Sequence, residues 1–127
     1  ALKRTELEEN LQGIDYVYTL NGQLKAINSP LASGFKDPGN DNPSTNGFKP
    51  DIFGMIVDYH HQDYLRTGSH LQGLKNTSTS NQFNGNIGSV RWNNNTPTSS
   101  TNTDTFKYVY NKDNWLSQAN YGLSSVS

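Results

Sequence analysis

The sequence predicts an all-β chain of repeated antiparallel hairpins separated by long polar loops. Three observations carry that expectation. Residues 14–20, IDYVYTL, alternate with the period of two that a pleated strand requires. The stretch YVYTLNGQLKAI at 16–27 returns as YVYNKDNWLSQA at 108–119, at a constant offset of 92 residues. The segments between are dominated by Asn, Gly, Pro, Ser and Thr, which favour turns over regular structure.

Taken in order, residues 1–12 place Leu2, Leu7 and Leu11 where either a short amphipathic helix or a strand flanked by charge can use them, and periodicity leaves both open. In the first clear strand Ile14, Tyr16, Tyr18 and Leu20 share an aromatic face, while Asp15, Val17 and Thr19 share the other. Asn21-Gly22 then predicts a two-residue type I′ turn, with positive φ at both central positions, and QLKAIN returns to close a hairpin near 14–28. Residues 28–50 read as a loop, with Asp37-Pro38-Gly39 forming a turn inside it. The most apolar stretch, DIFGMIVDYHHQDY at 51–64, reads as strand with Gly54 as a candidate bulge. Asn84-Gly85 gives a third turn signal ahead of Ile87, Val90 and Trp92, a partial echo of the unit and a third hairpin near 83–92. Residues 93–105, NNNTPTSSTNTDT, contain no apolar side chain and read as a second loop, expected like 28–50 to be poorly ordered. The last hairpin, near 106–120, sets Phe106, Tyr108 and Tyr110 on one face, turns through NKDN and returns with Trp115 and Leu116.

Composition bounds what such a chain can do. Only 31% of the 127 residues are hydrophobic and 17% are charged, with a net charge of −1, so its polarity comes from amides and hydroxyls. Charge-driven disorder is therefore not expected. No basic block is available to track a phosphate backbone or an anionic membrane, which argues against nucleic acid as a partner. No apolar run approaches the length of a membrane span, so no membrane insertion is expected. There are no cysteines for disulfides or thiolate metal sites, which is compatible with export. The start, ALKRTELEEN, lacks the apolar core of a signal peptide, and the chain is expected to be one segment, 1–127, of a larger protein.

Chemical motifs are sparse. In strand geometry Asp58 and His60 would share one face and His61 and Asp63 the other, giving two metal ligands a side where three or four are needed, with His70 the remaining imidazole. No Gly-x-Ser-x-Gly elbow or phosphate loop occurs, and Glu6, Glu8, Glu9 and Asp15 sit among Lys and Arg as a solvated charged face. No catalytic, cofactor or metal residue is assigned, and an enzyme is not expected. The sequons at Asn76 and Asn94 are what chance supplies in a chain this rich in Asn and Thr. The aromatic stripe of Tyr16, Tyr18, Tyr108, Tyr110 and Trp115 is the strongest feature, suited to packing along a sheet or to stacking on sugars.

These residues also carry a family likeness. YVYTLNGQL and YVYNKDNWL resemble the YD repeat of RHS-type proteins, Tyr-x-Tyr-Asp-x-x-Gly-Arg-Leu. Tyr16, Tyr18, Gly22 and Leu24 match in the first copy, with Thr19 in place of Asp and Gln23 in place of Arg. Tyr108, Tyr110 and Leu116 match in the second, where Asn111, Asn114 and Trp115 replace Asp, Gly and Arg. LQGIDYVYTLNGQLKAINSP, DIFGMIVDYHHQDY and FNGNIGSVRWN are similar to segments found together in RHS-repeat proteins that Gram-negative bacteria export by the type 9 route. The Asp37-Pro38-Gly39 run departs in spacing and context from the family's self-cleaving core motif.

The resemblance implies a β-strand spiral that builds a hollow shell around a C-terminal toxin or effector, secreted or displayed at the cell surface. Its partners would be the rest of its own shell, the enclosed toxin domain and the secretion machinery. The alternative is a cell-surface β module for glycan binding or adhesion. A wall segment would expose unpaired sheet edges and associate when isolated, whereas a binding module would fold as a soluble monomer.

Overall fold

Among the described residues, alternating stretches become seven strands that hydrogen-bond in the order in which the chain makes them. The strands are β1 (Arg4–Glu6), β2 (Gly13–Tyr18), β3 (Leu24–Ile27), β4 (Gly54–Asp58), β5 (Ser89–Asn93), β6 (Asn102–Tyr110) and β7 (Leu116–Ser125). Every neighbouring pair is antiparallel, so the chain is an all-β open meander with β1 and β7 at its edges. This computed structural model describes residues 1–30, 37–65, 74, 81–94 and 102–125. The ambiguity over residues 1–12 resolves into both a strand and a turn: Arg4–Glu6 pairs with β2, and Glu8–Asn10 makes one 3₁₀ turn, with Glu9 and Asn10 at φ 55° and 57°.

The repeated sequence is a repeated geometry. In β2–β3, Tyr16 pairs with Ile27, Val17 with Ala26 and Tyr18 with Leu24, with a bulge between Val17 and Tyr18. In β6–β7, Tyr108 pairs with Ala119, Val109 with Gln118 and Tyr110 with Leu116, with a bulge between Val109 and Tyr110. Each pairing is its counterpart displaced by the same 92 residues.

The turns agree as well, and they differ from the type I′ expected. Gly22 N donates to Thr19 O and Thr19 N to Gln23 O, so Leu20 and Asn21 are the central pair and Gly22 follows at φ 82°. This is the longer loop in which a left-handed residue ends the turn and starts the bulge. Asn114 N donates to Asn111 O and Asn111 N to Trp115 O, with Asn114 at φ 62°. The turn needs one left-handed residue, and Asn tolerates that conformation better than other side chains do, so it can stand where the first copy has Gly.

The third expected hairpin is not one. After Gly85, at φ 91°, the chain makes a single strand, β5, whose partners are β4 and β6. Nor is Gly54 a bulge, because its register with Asn93 is regular. Its role is close approach: a Cβ there would lie 2.1 Å from the Ser29 backbone carbonyl.

Expectations for the loops also need correction. Residues 37–50 are tied down by Asp37, whose carboxylate accepts from Gly39 N and Asp41 N while its carbonyl accepts from Asn40 N, closing the turn. Phe48 is buried, with the Arg4 guanidinium 4.6 Å from its ring centre. Residues 31–36 of the same stretch lie outside the described residues. In the second loop, 102–105 belong to β6 because they complete its ladder to β5 and β7, while 95–101 lie outside the described residues.

The two faces of the sheet differ in how deeply they are covered. Val17, Ala26, Ile56, Arg91 and Thr105 stand in register across β2 to β6 on the more deeply buried face. There Ala26, Ile56, Tyr64 and Leu74 form a small apolar cluster, with Val17 against it. Tyr16, Ile27, Met55 and Trp92 share the opposite face, and all four are only half-buried. The aromatic face is thus the less covered one.

Candidate functional site

The bulge in the first hairpin has a chemical consequence. It gives β3 one more residue than β2 between paired positions, and the extra residue is Lys25. A bulge re-aims the side chain it frees. Lys25 enters the buried face with 0% exposure, and its Nζ donates to Asp58 Oδ1 at 2.7 Å and to both Asp63 oxygens at 2.9 and 3.0 Å. Arg91 of β5 reaches the same Asp58 through Nε at 2.7 Å and Nη2 at 3.0 Å, and Ser89 Oγ adds a bond at 3.1 Å. Tyr59 N completes Asp63 at 2.8 Å. Two carboxylates thus face two cations in a charge-balanced quartet. Burial pushes the Asp58 carboxyl up, but Lys25 and Arg91 together outweigh it and hold the group below the usual carboxylate value.

This overturns the strand geometry expected for DYHHQD. The strand ends at Asp58, and the turn after it brings Asp63 round to the same lysine instead of to the other face. His60 stacks on Phe83, with ring centres 4.8 Å apart. Asp58 and Asp63 are thereby committed to binding together β3, β4, β5 and the 59–65 turn. Lys25 and Arg91 escaped the sequence analysis, yet a signal was present: QLKAIN, MIVDY and SVRWN each place a charged residue inside an apolar strand. Such a residue is affordable inside only when another strand supplies its counter-charge.

A second ionic centre lies at the β1 edge. Arg4 of β1 pairs with Asp15 of β2 at 2.5 Å, with Asp41 of the 37–50 loop at 2.7 Å and with exposed Glu6 at 3.1 Å. Burial raises the Asp15 pKa, and Arg4 only partly offsets this. Asp51 accepts from Gln12 Nε2 at 3.0 Å.

The aromatic side chains singled out in the sequence do not converge on one platform. Tyr16 and Tyr18 lie on β2 and Tyr108 and Tyr110 on β6, with β3, β4 and β5 between them. The cluster that does form is Trp92, Phe106, Tyr108 and Tyr121: Phe106 stacks on Trp92 at 5.6 Å and on Tyr108 at 6.4 Å, and meets Tyr121 edge-on at 5.5 Å. Tyr110 donates its hydroxyl to Ile87 O at 2.7 Å, fastening the second hairpin to the turn before β5. Gly22 and Leu24 shape the first turn and its bulge, while Leu116 opens β7 beside Trp115, which is 74% exposed. Beside the first hairpin, Tyr18, Asn21, Gln23, His60 and Gln62 line part of a groove of about 490 Å³.

The far edge is the most open part of the sheet. β7 is ten residues long and, among the described residues, its strand partner is β6 alone. Leu116, Tyr121 and Leu123 are all exposed along it. Such an edge presents a row of unpaired N–H and C=O groups to another strand. No protein-family model matches the chain, and no curated protein or solved structure matches it.

Proposed function

We propose that the chain is a wall segment of a larger secreted YD-repeat shell, a structural and non-enzymatic part that helps enclose or display a C-terminal toxin or effector exported by a Gram-negative bacterium, with the type 9 route as its exit. The observation that carries this reading is the pair of hairpins whose register, bulge and turn coincide at a 92-residue offset within a sheet laid down strand after strand. A spiral wall requires that arrangement: each strand pairs with the one before it and offers its outer edge to the next. The uncovered β7 edge and the half-buried aromatic face suit continuation by further repeats.

The test is the behaviour of the 127-residue chain in solution. A wall segment associates as concentration rises, in size-exclusion chromatography with light scattering, and Leu116→Lys with Leu123→Lys on β7 returns it to monomer. A wild-type chain that stays monomeric and melts cooperatively would overturn the reading. The groove beside Tyr18, lined by amides and aromatic rings, favours the second reading, a glycan-binding module. Such a module would retain specific sugars on a glycan array as a monomer.

A further inference from the structure

The 37–51 loop packs more negative charge against the β1 edge than the protein neutralises. One carboxylate oxygen each of Asp37, Asp41 and Asp51 lies within 4.8 Å of the others. Asp15 stands close by, and the Arg4 guanidinium pairs with Asp15 and Asp41.

A second, independent feature is an orphaned acceptor. Asp41 is only 2% exposed; its Oδ1 accepts from Arg4 and Asn46, while its Oδ2 has no hydrogen-bond partner. Asp51 Oδ2 is buried and equally unpartnered. A carboxylate oxygen taken from water without a partner is costly, and both of these belong to carboxylates of the one acidic cluster, where a positive ligand would satisfy them. Gly13 makes room for the Arg4–Asp41 pair: a Cβ there would lie 2.1 Å from Arg4 Nη2 and 2.6 Å from Asp41 Oδ2.

We infer that Asp37, Asp41 and Asp51 form a binding site for a divalent cation, Ca²⁺. All three ligands are hard oxygen donors and none is a thiolate or imidazole, which selects against zinc and the softer metals. Their spacing suits one ion reaching several oxygens at about 2.3–2.6 Å, and loop carbonyls and water can complete the shell of six to eight that calcium takes. Without the ion the carboxylates repel. Calcium would fasten the 37–51 loop to β1 and β2 where salt concentrations outside a cell supply it.

The experiment is flow dialysis of ⁴⁵Ca²⁺ against the 127-residue chain, which reads binding whether or not the chain associates. One ion per chain is expected, at a dissociation constant of about 1 mM or tighter. Asp41→Asn and Asp51→Asn should each weaken binding by about ten-fold, whereas Asp113→Asn in the distant β6–β7 turn should not. Absence of saturable binding, or binding unchanged in Asp51→Asn, overturns the site. Urea denaturation separates a ligand from a merely structural residue. In EDTA, Asp51→Asn should unfold at the same or higher urea than wild type, and it should lose the stabilisation that calcium gives wild type. An equal loss of stability with calcium and with EDTA overturns the inference.

Discussion

Replacing Lys25 by methionine keeps an unbranched side chain one atom shorter and removes its charge, and the structure sets the size of the effect. Asp63 loses its cation, Asp58 keeps only Arg91, and the quartet becomes a buried cluster of net charge −1. Breaking a buried ion pair by removing one partner costs about 3–5 kcal/mol. For 127 residues at about 2.1 cal/mol/K each, the unfolding entropy is about 0.27 kcal/mol/K, so a 4 kcal/mol loss lowers Tm by about 15 °C. Urea and thermal unfolding followed by circular dichroism read both quantities. A second substitution sharpens the test: adding Asp63→Asn rebalances the charge and still leaves an acceptor for Tyr59 N. The double variant should therefore recover at least about 1 kcal/mol of the loss. A Lys25→Met loss below about 1 kcal/mol, or a double variant no better than the single, would place the quartet among weak solvated pairs and refute the reasoning.

Three further outcomes follow from the geometry. Gly54→Ala drives a methyl group into the Ser29 carbonyl and should cost about 3 kcal/mol in urea unfolding, with no compensating local rearrangement available to backbone atoms. Asn114→Ala forces a poorly suited side chain into a left-handed turn and removes the bond from Asn84 Nδ2, so it should cost about 1–2 kcal/mol; Asn114→Gly should stay within about 1 kcal/mol of wild type. Asp58 ionises at lower pH in the folded chain than its ordinary value of 3.8, so between those two values the unfolded chain holds more protons. Its stabilising contribution is complete above the ordinary value and fades as pH falls through the depressed one. Asp58→Asn should flatten that acid limb in a series of urea melts.

Local alternation and turn chemistry made both copies of the repeated hairpin legible, because a strand's period of two and a turn's need for a left-handed residue are written over short stretches of chain. The same locality explains the misses. Asn21-Gly22 is compatible with two turn types, and the bulge beside Val17 chose the one with a single left-handed residue. Gly54 resembles a bulge until Ser29 is seen against it, some 25 residues away in sequence. The reading of DYHHQD assumed that the strand continued, whereas it stops at Asp58 and Asp63 turns back to Lys25.

By itself the sequence determined that this chain is β, that one hairpin is written twice, and that polar loops separate the copies. Each of these follows from interactions between residues near one another in the chain. Only the tertiary structure decided which face is buried, that the bulge sends Lys25 inward to Asp58 and Asp63, and that Asp37, Asp41 and Asp51 crowd beside Arg4. Those outcomes depend on charges brought together from distant strands and loops. A charge's worth is set by its neighbours and by the water it loses, and neither is encoded in its own stretch of sequence.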